Sequence, residues 1–157
     1  MSPIWIEVFD MGCASGTQCC CGPDKIRHVR EIRSDLRELS GLRAFVRQVC
    51  SSTLLDEDRT AQLELAANET VCNIIKHSYG GRADGRIMVQ VEALSDRLTL
   101  RLYHWGKAYD PESQPIPQIE TFPERGFGLY IIRHTVDEVR YFAEDDGRNC
   151  VLLTKFL

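Results

Sequence analysis

The chain has 157 residues, a length suited to one domain with a single core. With 43% hydrophobic and 27% charged residues and no apolar run near the ~20 residues a spanning helix needs, it reads as a soluble globular protein and not a membrane protein. A net charge of -4 argues against a general nucleic-acid binder, which would gather a basic excess on one surface.

Residues 1–24 differ in character from the rest of the chain. The short apolar run IWIEVF gives way to Gly, Ser, Cys and Pro, and is read as a leader or an appended strand, leaving residues 25–157 as the domain. The seven cysteines are an odd number, and Cys19, Cys20 and Cys21 are adjacent, which fits no simple disulfide framework and points to a reducing cytoplasm. Together with Cys13 they also lack the C-x2-C spacing of a thiolate metal site. No export or lipid signal is read in MSPIWIEVFDMGC.

From Lys25 a strand is expected in KIRHVREIR, then an amphipathic helix in LRELSGLRAFVRQVC, where Leu39, Leu42, Phe45, Val46 and Val49 recur at helical spacing. A second helix is expected over LDEDRTAQLELAANETVCNIIKHSY, capped by Asp56 or Asp58 and stopped at Gly80 and Gly81. GRIMVQVEAL and DRLTLRLYHW alternate apolar and polar residues and predict a hairpin. GKAYDPESQPIPQIETFPERG, with its prolines and weak periodicity, predicts a long loop of the kind that serves as a lid. FGLYIIRHTVDEVRY resumes helical spacing, DDG is a turn, and NCVLLTKFL is a closing strand. This order predicts an α+β fold, a layer of helices on a mixed sheet.

Polar residues interrupt the second helix. Glu69, Asn73 and Lys76 or His77 fall along one face by i, i+4 spacing, and burial of such groups without partners costs a few kcal/mol each. They therefore face solvent, pair internally or point into a ligand cavity. A second polar feature is ERGFGL, where Gly126 and Gly128 precede a helix; glycine lets amides approach an anion, the helix N-terminus favours negative charge, and Arg125 adds a cation. A third is the strand exit YHWGKAYDP at Gly106, which by itself reads as an ordinary turn.

In combination and in this order, these features resemble the histidine-kinase-like (GHKL) ATPases, and more closely the bacterial anti-sigma-factor serine kinases of the RsbW type. ELAANETVCNIIKHSYGG resembles the family's N-box helix, ERGFGL its second glycine box, and VDEVRY and LLTKFL its terminal helix and strand, so the likeness covers Ile26 to Leu157. The resemblance implies a two-layer α/β sandwich, the Bergerat fold, with helices on one face of a mixed, largely antiparallel sheet. It implies ATP and Mg2+ as cofactors, Glu69 as general base toward a substrate serine, and Asn73 as a magnesium ligand. It further implies phosphate contacts from Arg125, Gly126, Phe127, Gly128 and Leu129, places Lys76 and His77 near the phosphates or lid, and gives Thr154 a supporting place at the adenine end. The implied partners are a sigma factor and a STAS-type anti-anti-sigma protein, with homodimerisation a family habit. One departure stands out: the family's Asp-x-Gly, which holds the adenine amino group, reads His104-Trp105-Gly106 here. A neutral imidazole offers an acceptor nitrogen, whereas a charged one is all donor. Two functions are expected on this basis, a serine-protein kinase of a partner switch and a sequestering module without catalysis.

Overall fold

The computed structural model describes residues 5–6, 26–109, 111 and 127–157. In chain order these form β1 (Trp5–Ile6), β2 (Ile26–Arg33), a 3-10 turn (Leu36–Glu38), α1 (Leu39–Cys50), α2 (Glu57–Asn73), a π-helical turn (Ile74–Ser78), β3 (Arg86–Ala93), β4 (Arg97–His104), α3 (Phe127–Thr135), β5 (Glu138–Ala143) and β6 (Asn149–Phe156). The strands make one sheet in the order β1-β2-β3-β4-β6-β5. Every pairing is antiparallel, so the expected two-layer sandwich is present while the parallel component of a mixed sheet is not found among the described residues.

The helices arise where the sequence supplies both a stripe and a start. Asp56 caps α2 by accepting from the Arg59 amide at 2.7 Å, and Glu57 and Asp58 sit in the first turn, where negative charge suits the helix dipole. Asp35 accepts from the Arg37 amide at 2.9 Å and opens the turn that leads into α1. At the far end of α2 the chain widens into the π turn and stops at Gly80 and Gly81, both at positive φ, with the Gly81 amide donating to Ile75 O at 2.9 Å.

Helix α2 lies between α1 and α3 and touches both. Ala66 and Ala67 are wholly buried, and their small side chains allow that close approach. Leu42, Phe45 and Val46 of α1, Leu63 and Val71 of α2, and Ile87, Val89, Leu100, Leu102 and Leu153 of the sheet form one core between the layers. No helix among the described residues is long and apolar enough to cross a membrane.

Two expectations need correction or qualification. The segment FGLYIIRHTVDEVRY was expected to be helical throughout, but α3 ends at Thr135 and Glu138–Ala143 is an edge strand on β6. Ile132, Val136 and Val139 keep helical spacing, whereas Val139, Tyr141 and Ala143 keep strand spacing, so the two patterns overlap in the sequence. Pairing decides: the Asp137 amide donates to Thr154 O at 2.9 Å, and the Asp137 carboxylate accepts from the Phe156 amide at 2.7 Å. The expected lid lies outside the described residues except for 106–109 and 111, as does most of the leader, of which Trp5–Ile6 pair with β2.

A buried carboxylate ties the first two helices. Glu64, 5% exposed, accepts from Arg47 Nε at 2.7 Å and Arg47 Nη2 at 2.9 Å in a two-point bond whose guanidinium side faces water. Arg47→Ala leaves that carboxylate without its donor and is expected to lower stability by about 1–3 kcal/mol in urea titrations. Adding Glu64→Leu should recover most of the loss, and a double variant no better than Arg47→Ala would refute this account.

Candidate functional site

The site begins at the last turn of α2. Glu69 and Asn73 are one turn apart and half-buried, and α3 starts directly beside them. A Cβ added to Gly128 would lie 2.8 Å from Glu69 Oε2 and 3.7 and 3.8 Å from the Asn73 carboxamide oxygen and nitrogen. The first turn of α3 thus packs closely against both side chains. The first N–H groups of a helix have no partner within it, and that end carries partial positive charge, so an anion is favoured here.

Beyond Asn73 the π turn shifts the register of the chain. Turns of this kind are rare and recur at functional sites. It turns Ser78 inward and brings His77 into a parallel stack on Tyr109, ring centroids 4.3 Å apart. Burial, then the nearby Lys76 charge, lower the His77 pKa below the usual imidazole value. The exit of β4 is clamped against this turn. A Cβ on Gly106 would sit 2.6 Å from Ser78 O, the Lys107 amide donates to the same oxygen at 2.9 Å, and Asn149 Nδ2 donates to Gly106 O at 3.0 Å. Tyr79 completes the clamp, its hydroxyl donating to Arg86 O at 2.5 Å and accepting from the Trp105 amide at 3.0 Å.

Between α2, α3 and the ends of β4 and β6 is a cavity of about 20 Å3, room for one water. Asn73, Ser78 and His104 line it, with Tyr109, Leu129 and Tyr141 around them. Among the described residues, Asn73 Nδ2, Ser78 Oγ and His104 Nδ1 have no hydrogen-bond partner although all three atoms are buried. His104 is 3% exposed, and burial pushes its pKa down to about 4, so the imidazole is neutral near pH 7. Unpartnered groups of this kind are costly, and a ligand or water that satisfies them is the ordinary remedy.

The structure thus brings together Glu69, Asn73, His104, Gly128 and Leu129. Gly106 belongs to the wall through its contact with Ser78, and His77 lies at the rim through Tyr109. Lys76 lines a different groove, with Ser34, Asp35 and Cys72. Phe127 is partly exposed at the start of α3, and Arg125 and Gly126 lie outside the described residues. Thr154 requires a correction. It pairs with Thr99, while His104 pairs with Asn149, and the odd-numbered Lys155 reaches Thr135 O of α3 at 3.0 Å. Alternation then puts Asn149 and Val151 on the helix side with His104, and Thr154 on the opposite face of the sheet. Asn149, Ser78 and Tyr109 are the residues that sequence reasoning missed. Only Asn149 had a usable signal, its place opposite His104 once β4 and β6 are aligned.

The donor set fits a nucleotide and a magnesium ion. The orphaned amide, hydroxyl and imidazole line a pocket wall, and the first turn of α3, at Phe127 and Gly128, lies against a carboxylate and a carboxamide. Magnesium commonly keeps several waters and takes one or two protein oxygens plus phosphates, which such a sparse set can supply.

Comparison with known proteins gives the class. The histidine kinase-like ATPase domain matches residues 32–155, and the chain belongs to that family. Among its relatives is the serine-protein kinase RsbW of Listeria innocua, 30% identical over 103 residues that cover 60% of this chain and 64% of that protein. Serine-protein kinase RsbW of Bacillus licheniformis is 28% identical over 108 residues, 64% of this chain and 66% of the relative. The match thus spans a little under two-thirds of these relatives. The crystal structure of the RsbU and RsbW domains of Rv1364c from Mycobacterium tuberculosis shares the fold, with a TM-score of 0.58 at 19% identity over 83% of this chain and 32% of that one.

Two measurements probe this architecture. A histidine whose folded pKa lies near 4 and whose unfolded pKa is near 6.5 takes up its proton first in the unfolded chain, so it lowers stability as pH falls from about 6.5 to about 4. His104→Gln removes that contribution. The stability of wild type minus that of the variant should rise by up to roughly 3 kcal/mol between pH 4 and pH 7, and a flat difference would mean the imidazole titrates normally. Gly106→Ala should cost about 1–3 kcal/mol because the obstacle is Ser78 backbone. Gly41→Ala, whose Cβ would meet only the flexible end of Arg30, is the matched control and should change stability by less than about 1 kcal/mol.

Proposed function

We propose that the chain is an anti-sigma factor with Mg-ATP-dependent serine-protein kinase activity, phosphorylating a STAS-type anti-anti-sigma partner. The observation that carries this reading is the meeting of Glu69 and Asn73 with the glycine-started end of α3. Glu69 stands at the mouth as the base: a carboxylate within hydrogen-bond reach of a serine hydroxyl accepts its proton as the oxygen attacks phosphorus. Asn73 offers a neutral, hard oxygen to magnesium. The amides of Gly128 and Leu129, with Gly126 and Arg125 before them, would hold the phosphates and stabilise charge as it moves to the leaving oxygen. His104 and Ser78 hold the base and ribose end, and Tyr109 and His77 cover it. Bound ATP supplies the phosphoryl group. The reading also takes residues 25–157 as the catalytic unit, the cytoplasm as its location, and a homodimer as its assembly.

A second reading, a module that sequesters its regulator without catalysis, is favoured by one observation, the buried neutral His104 where the resemblance implies a carboxylate. Calorimetry with Mg-ATP and transfer of labelled phosphate to a STAS-domain protein separate the two. Glu69→Ala should retain nucleotide affinity within about threefold and lose transfer by a factor of ~100 or more, the scale of a general base. Asn73→Ala should weaken binding in magnesium and change it little in EDTA. Transfer unaffected by Glu69→Ala would remove Glu69 from the base role, and tight ATP binding by wild type without any transfer would favour sequestration.

A further inference from the structure

The polar wall of the cavity has an unusual composition. Its three unpartnered atoms belong to an imidazole, a carboxamide and a hydroxyl, each able to present either a donor or an acceptor by tautomer, flip or rotation. No carboxylate, lysine or arginine lines it among the described residues. His104 closes β4 at the sheet end of this wall, and its Nδ1 has no described partner that would fix one tautomer. The ring meets Tyr79 in a T-shaped arrangement, centroids 6.2 Å apart. Asn149, opposite His104 in the sheet, spends its Nδ2 on Gly106 O and not on the imidazole.

We infer that His104 makes the nucleotide site ambivalent at the purine 6-position, accepting 6-keto purine triphosphates about as well as 6-amino ones. The inference rests on the reading of this cavity as a nucleotide site. A carboxylate is an acceptor only: it pairs with an exocyclic amino group and opposes a keto oxygen. The neutral imidazole accepts from the amino group in one tautomer and donates to the keto oxygen in the other. Its lowered pKa is consistent with the ring staying neutral, so both tautomers remain accessible. Sites built to pair with one hydrogen-bonding group reject an analogue lacking it by large factors, because the site's own group is left unpaired. Here neither base leaves it so.

The test is calorimetric titration of the full chain with Mg-ATP and with Mg-ITP, which differ at the purine 6-position and the adjoining N1 proton. For wild type the two dissociation constants should agree within about tenfold, and His104→Asp should raise the preference for ATP to about a hundredfold or more, mainly by loss of ITP. His104→Asn, with a neutral amide that both donates and accepts, should keep the ratio near the wild-type value and serves if the Asp variant does not fold. A wild type that rejects ITP a hundredfold overturns the inference and leaves the kinase reading standing, as does a ratio that His104→Asp does not move. Failure of wild type to bind either nucleotide overturns both.

Discussion

The approach of Gly106 to Ser78 is the constraint on which the rest of the site depends. Two backbones meet where neither has a side chain to spare: the exit of β4 rests on the π turn, with the Lys107 amide bonded to Ser78 O and no room for a Cβ between them. This contact joins the helical layer to the sheet at one end of the core. It sets how far Asn73 stands from His104, because the first precedes the π turn and the second precedes the exit. Tyr79 reinforces it from the other side through Arg86 O and the Trp105 amide, so both strands of the hairpin are tied to the end of α2. A site made of side chains from different layers needs such a rigid joint, since errors of about an ångström are costly in positioning chemistry.

The legible parts of the molecule were those where one pattern dominates. Helix α2 has a cap, an acidic first turn and a double-glycine stop, and the β3–β4 hairpin alternates cleanly, so both follow from periodicity and turn chemistry. Glu69 and Asn73 were legible as a polar stripe, though only Gly128 arriving from a distant segment turns that stripe into a site. The errors have equally local causes. Residues 136–143 satisfy helical and strand spacing together, and the choice lies in hydrogen bonds to β6 that no local pattern encodes. Thr154 falls on the other face by parity, because in a strand one step exchanges the faces. Lys76 follows i, i+3 spacing from Asn73 in an α-helix, but the π turn rotates the residues after Asn73, and Lys76 lies in a separate groove.

The electrostatic character of the site divides in two. On one side, Glu69 lies beside the start of α3, a helix end that favours phosphate oxygens. In the interior the polar groups are neutral, and His104 is kept so by burial. This division matches what the two ends of a nucleotide require. Phosphates carry charge and need donors and a cation, whereas a base is neutral and is read by direction of hydrogen bonds.

The cavity itself, at about 20 Å3, is far smaller than the several hundred Å3 of a typical ligand pocket, so on the proposed reading a nucleotide would enter only as surrounding side chains move. The surrounding residues differ in how readily they can. Ile132 and Val151 are buried in the core, and Asn73 and Ser78 are held by the turn that Gly106 braces. Tyr109 and Leu129, by contrast, are half-buried and flank the span 110–126 that joins the β4 exit to α3.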